Sequence, residues 1–160
     1  MRVKLAALLM ALALPAVGVF AQTKTSRTTL DIYVIDVEGG NSVLFVPPSG
    51  ESVLVDTGNV GPGAVRDAGR IMDAIHDAGL TQIDHLIITH WHGDHFGGLP
   101  ELAKQISIKE YIDHGPNAQP GQAPDDFIKN TYEPLIAKAK HTVVKRLRFF
   151  FIRDNQVEVV

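Results

Sequence analysis

Three histidines and one aspartate fall within six residues, at His90, His92, Asp94 and His95, in a chain of 160 residues that holds seven histidines in all. Imidazole nitrogen and carboxylate oxygen are donors that suit zinc, manganese or iron. The chain has no cysteine, which excludes thiolate ligands, a cysteine nucleophile and disulfides. Any metal is therefore held by His, Asp or Glu. On extended backbone, residues two apart point to the same side, so His90 and His92 can share one ion. Asp94 and His95 follow the turn at Gly93 and address a neighbouring position. That arrangement suits two divalent metals about 3.5–4 Å apart, zinc first, with manganese or iron as alternatives. Asp94 is carried both as a ligand and as the candidate catalytic residue. Bound metal lowers the pKa of a water to about 7, and the resulting hydroxide serves as the nucleophile. Such chemistry needs no serine or cysteine.

The elements around the cluster must hold it. The apolar run Leu86-Ile87-Ile88 reads as a buried strand, over residues 83–89, that delivers the ligands at its end. Upstream, residues 30–37, 42–46 and 52–55 read as three strands joined by turns at 38–41 and 47–50. Val65, Ala68, Ile71, Met72, Ile75 and Ala78 recur at helical spacing, and Gly79 stops that helix. A helix is expected to start near His95, adding a positive dipole to the site, and another over 99–105. A strand follows over 108–113, then a helix over 125–140 kinked at Pro134, then a short strand over 141–144. Strands that flank a helix are expected to be parallel, so the ends carrying His90 and His114 share one sheet edge, where ligands bind.

Other residues near that edge are weighed against plainer roles. Asp36 reads as a turn cap. His114 is a possible substrate or metal contact, against a loop histidine bonded to backbone. His141 begins a strand far from the cluster in sequence, His76 is solvated on a helix, and His85 packs within a strand. Trp91 and Phe96 either wall a substrate pocket or fill the core.

The pattern His90-x-His92-x-Asp94-His95, preceded by a strand and by Val55-Asp56-Thr57-Gly58, resembles the metallo-β-lactamase-fold hydrolases over roughly residues 30–115. The resemblance implies an αββα sandwich, of class α+β or α/β, with the site at its sheet edges. It implies that His90 and His92 bind a first metal and Asp94 and His95 a second, with Asp56 as a buried carboxylate orienting the ligand loop. The run Ile35-Asp36-Val37-Glu38-Gly39-Gly40-Asn41-Ser42 is most similar to the branch of the ComEC-type competence proteins. Members of the wider family carry a second αβ half with further Asp and His ligands. No such Asp/His motif follows the cluster in this sequence, so an N-terminal half of the fold is expected, a mixed sheet with flanking helices.

Arg2 and Lys4, the apolar run over 5–19 and the small residues before Gln22 form a secretory signal pattern over 1–21. A secreted or periplasmic location, with no stable membrane anchor after cleavage, is the expectation. Residues 22–29 read as a flexible lead-in, 30–145 as the partial hydrolase domain, and 146–160 as an atypical tail. Cleavage takes the formal net charge from −3 to −5, which argues against a broad nucleic-acid-binding field. The functional expectation is a metal-dependent hydrolase acting on a small-molecule ester or a phosphodiester. The alternative is a non-catalytic or weakly metal-binding fragment of one. A homodimer, with one copy covering the open face of the other, is a further alternative.

Overall fold

The computed structural model describes residues 27–119 and 121–145, so the leader at 1–21 and the tail at 146–160 lie outside the described residues. Six strands form one sheet in sequence order: β1 (Asp31–Val34), β2 (Val43–Val46), β3 (Val53–Val55), β4 (Ile83–Ile87), β5 (Ile108–Asp113) and β6 (Lys140–Val143). The first three form an antiparallel meander, with Leu44 opposite both Tyr33 and Leu54. From β3 onwards every pairing is parallel, with Leu86 beside Leu54 and Tyr111 beside Leu86. The mixed α/β class inferred from the sequence is the observed one.

The strand period of two separates the faces. Tyr33, Leu44, Leu54, Leu86 and Tyr111 fall on one face, where Leu44, Leu54 and Leu86 are fully buried. Helices cover it. The helix α1 (Pro62–Asp77) supplies Ala68, Ile71 and Ile75, and the short helix α3 (Leu99–Leu102) supplies both of its leucines. At the far end Tyr132 packs edge-on against Tyr111. On the opposite face Ile32 and Val34 remain exposed, the latter at 83%. That face also carries a polar patch, in which His85 lies between Glu51 and Glu110 at 2.9 and 2.8 Å. Where packing is expected of His85, the structure shows hydrogen bonds from both ring nitrogens to carboxylates.

Several elements are shorter than their sequence periodicity. The strand expected over 30–37 pairs only at Asp31–Val34, after which Ile35 and Val37 turn inward. The helix expected near His95 is a single turn, α2 (Gly93–Phe96), too short to build much of a macrodipole. The helix expected over 125–140 is three pieces: α4 (Gln122–Phe127), a π-turn at Ile128–Tyr132 and α5 (Glu133–Ile136). Pro134 has no N–H to give its preceding turn, and the chain widens just before it, with Glu133 N–H reaching Ile128 O. Among the described residues, no helix is long and apolar enough to cross a membrane.

Candidate metal centre

Because β3, β4 and β5 are parallel, their C-terminal ends emerge together. Asp56 leaves β3, the segment from Thr89 to His95 follows β4, and His114 follows β5. Asp56 is fully buried and takes a positive φ of 60°. Asp tolerates that left-handed region better than most residues. There its carboxylate accepts four hydrogen bonds: Thr89 N–H at 2.8 Å, Thr89 O–H at 2.7 Å, Asn41 Nδ2 at 3.1 Å and His95 Nδ1 at 2.8 Å. It thus grips both ends of the ligand segment.

Three close backbone approaches press that segment into place. A Cβ on Gly98 would lie 2.1 Å from Thr57 O, and one on Gly97 would lie 2.0 Å from the carbonyl carbon of Asn59. One on Gly40 would lie 1.9 Å from Asp94 O. The backbone of Asn41 adds a hydrogen bond to the same Asp94 oxygen at 3.2 Å. The sequence marked Gly39-Gly40-Asn41 only as a turn. Its contact with Asp94 joins residues 54 apart, and local pattern carries no sign of it.

The partners of each imidazole fix where its lone pair sits. His95 gives its Nδ1 proton to Asp56, so its lone pair is on Nε2, 3.9 Å from Asp94 Oδ2. Thr89 spends its only hydroxyl proton on Asp56, so it accepts from His90 Nδ1 at 3.1 Å. The lone pair of His90 is then on Nε2. His92 Nε2 faces Gln119 Oε1 at 2.8 Å, which leaves its lone pair on Nδ1. His90 Nε2 and His92 Nδ1 lie 2.9 Å apart. With both rings neutral, these contacts turn the lone pairs of His90 Nε2 and His92 Nδ1 towards each other, an arrangement that a cation between them relieves.

These donors fit a divalent metal in chemistry and spacing. Two nitrogens on a tetrahedral zinc at about 2.0–2.1 Å sit roughly 3.3 Å apart, so the pair has to open by only a few tenths of an ångström. Burial, then the neighbouring His95 and His92, push His90 below the usual imidazole range, towards the neutral form that ligates. The number of donors is smaller than a closed site needs. Among the described residues, no three His, Asp or Glu side chains are gathered into a metal cage. The cluster is a row of contacts instead: the His90 ring lies 4.4 Å from that of His92 and 4.0 Å from that of His95, whose Nε2 is 3.9 Å from Asp94.

The remaining candidates divide. His114 is exposed at the same edge, with its ring 6.2 Å from Trp91. Trp91 and Phe96 are core residues: Trp91 packs on Tyr132, and Phe96 stacks on Phe127 at 4.0 Å. Asp36 accepts from Glu38 N–H at 3.0 Å, the expected turn cap. His141 takes a structural part that its position in sequence gave no sign of. Its Nε2 lies 2.7 Å from the buried Asp113, which also accepts from Tyr132 O–H at 2.7 Å. Burial, then the hydrogen bond to Asp113, push the Tyr132 hydroxyl above its usual range.

The chain belongs to the metallo-beta-lactamase superfamily, whose model matches residues 35–154. It is 36% identical over 81 residues to the lactamase-like protein nscB of Neosartorya fischeri, covering 47% of this chain and 24% of that protein. It is 34% identical over 65 residues to the atrochrysone carboxyl ACP thioesterase of Aspergillus terreus, covering 41% of this chain and 19% of that one. Among solved structures, MEM-A1, a subclass B3 metallo-beta-lactamase from a soil metagenome library, superposes with a TM-score of 0.42 at 24% identity, over 54% of this chain and 31% of that one. The chain thus spans about a quarter or less of the length of these curated relatives.

Proposed function

We propose that this chain carries the metal-binding segment of a metal-dependent hydrolase whose substrate holds an ester-type bond, thioesters included. The observation that carries the reading is the pair of imidazole nitrogens, His90 Nε2 and His92 Nδ1, facing each other at 2.9 Å while the other nitrogen of each ring meets Thr89 or Gln119. His90 and His92 would hold one divalent ion, with zinc first among the candidates, and Asp94 and His95 would hold a second. A bound divalent ion supplies Lewis acidity and water activated near neutral pH. The chain's own residues do the positioning. Asp56 fixes the His95 ring, Thr89 fixes His90, and the glycine contacts hold the ligand turn against the β3 loop.

The ester-type substrate is supported by the likeness to a protein named as a thioesterase. The likeness of residues 35–42 to the ComEC-type branch makes a phosphodiester the second assay arm. A specific observation favours the reading of a weak metal binder: among the described residues no group of three His, Asp or Glu side chains is placed to hold an ion. Action outside the cytoplasm is part of the proposal, resting on the leader pattern over 1–21.

The test is zinc titration of the full chain, together with hydrolysis of a thioester, a carboxylic ester and a phosphodiester. Zinc uptake that is lost in His92→Ala supports the reading. A chain that retains no zinc at micromolar concentration overturns it.

A further inference from the structure

Gln119 stands outside every motif in the sequence, on the exposed loop between β5 and α4, 27 residues from the histidine it touches. Its carbonyl Oε1 is 2.8 Å from His92 Nε2. His90 and His95 are oriented by the exposed Thr89 and the buried Asp56, which bond to one another. His92 is exposed, with His90 at its Nδ1 and Gln119 at its Nε2.

The loop is built to hold that amide. Gly115 N–H donates to the buried Asp113 at 2.6 Å, and Trp91 Nε1–H donates to Gly115 O at 2.8 Å. Asn117 accepts from Gln119 N–H at 3.1 Å, while its own amide donates to Asp125 in the first turn of α4, also at 3.1 Å. Asp113 is itself held by Tyr132 and His141. Each end of the loop thus has its own anchor, and Gln119 lies between them.

We infer that Gln119 is a positioning residue: its carbonyl accepts the His92 Nε2 proton and thereby keeps the His92 Nδ1 lone pair turned towards His90 Nε2, ready for a cation. The inference rests on the reading of His90 and His92 as ligands of one ion. The opposite amide orientation has a defined consequence. If Gln119 donates instead, His92 must carry its proton on Nδ1, pointing at His90, and that proton occupies the place of the cation. The carbonyl orientation therefore favours metal over a closed hydrogen-bond relay.

The experiment compares the full chain with Gln119→Ala and Gln119→Glu. Zinc affinity is measured by competition with a chromophoric chelator, and nitrogen-15 spectra of the zinc-loaded rings report which His92 nitrogen bears hydrogen. Partners of metal-bound histidines are typically worth about 10–100-fold in metal affinity. Gln119→Ala is expected to weaken zinc binding by that order, with the His92 Nε2 proton lost to rapid solvent exchange. Gln119→Glu keeps an acceptor at the same place and is expected to restore both the affinity and the slowly exchanging proton. Circular dichroism establishes that each variant is folded. Zinc binding by Gln119→Ala equal to that of the unsubstituted chain overturns the role of Gln119 while leaving the metal reading intact. A His92 proton found on Nδ1 in the loaded unsubstituted chain also overturns it. No zinc uptake by the unsubstituted chain overturns the metal reading, and the role of Gln119 with it.

Discussion

Replacing Asp56 by Asn is the sharpest test of how the ligand frame is held. The side chains have nearly the same size, and both tolerate the positive φ of 60° at this position, so backbone strain is not introduced. What changes is hydrogen-bond polarity at a fully buried group. One oxygen of the amide can still accept Thr89 N–H, now at 2.8 Å from Asp56 Oδ1. The amide NH2 then occupies the place of Oδ2, facing three present donors: Thr89 O–H, Asn41 Nδ2 and His95 Nδ1. The Thr89 hydroxyl can rotate to accept. Asn41 retains only its longer contact with Val55 O at 3.4 Å. His95 must move its proton to Nε2, the atom that faces Asp94. Hydrogen bonds to charged groups contribute about 1.5–3 kcal/mol each, and an orphaned buried donor costs about 1–3, so a loss of roughly 3 kcal/mol is expected. For a domain of this size that lowers Tm by roughly 10–15 °C. The shifted His95 proton should also weaken zinc binding by about 10–100-fold. Thermal melting by circular dichroism and zinc competition read the two effects separately. A variant that melts within about 3 °C of the unsubstituted chain and binds zinc equally well would refute the account of Asp56.

The remaining predictions follow from the packing and the buried charges. Gly98→Ala places a methyl 2.1 Å from Thr57 O, a backbone atom that cannot step aside, and is expected to cost about 3 kcal/mol or more in a urea melt. Gly69→Ala is its counterpart: a Cβ there meets nothing within 4 Å on helix α1, and the change should stabilise by about 0.5–1 kcal/mol. Burial alone would raise the Asp67 carboxyl, but Arg66 and the Asn59 donors outweigh it and hold it below its usual range. A lowered folded-state pKa gives stability that is fully present above the unfolded carboxylate value, about 3.9, and is lost as the pH falls through the lower folded value. Urea melts across that acid range should therefore show stability falling with pH, with a shallower slope in Asp67→Asn. His92→Ala should leave the melting curve near that of the unsubstituted chain, because the ring is exposed, while zinc uptake collapses. A large loss of stability there would show that the ring is part of the fold.

The parts of this molecule legible in the sequence are those with local causes. The helical recurrence of Ala68, Ile71 and Ile75 reports which face is buried, and it is observed, whereas in β1 the apolar Ile32 and Val34 are the exposed side chains. The ligand motif gave the edge of the sheet and the end of β4. What stayed hidden depends on residues far apart in sequence. Asn41 reaches Asp56 across a strand, Gln119 reaches His92 across a loop, and His141 reaches Asp113 from the neighbouring strand. Each is a polar side chain on a turn, loop or edge strand, where composition predicts only solvent. The widening before Pro134 was half legible: the missing N–H was evident, but the π-turn that answers it depends on how Tyr132 packs beneath Trp91.

The position of the site follows from where the sheet changes character. Up to β3 the chain returns by short turns, so successive strand ends alternate between the two edges. From β3 onwards each strand returns through a helix and its end falls on the same edge. Asp56 leaves the last strand of the meander and is also the first residue of the shared edge. Its positive φ turns the chain out of the strand there. The turn from β1 to β2 lies at that edge too, which is why Gly40 and Asn41 can press on Asp94 and reach Asp56. The ligands of β4 are therefore held from the antiparallel half and the loop after β5 reaches them from the parallel half. A change in either half that leaves the motif itself untouched should still be felt as altered donor geometry at His92 and His95.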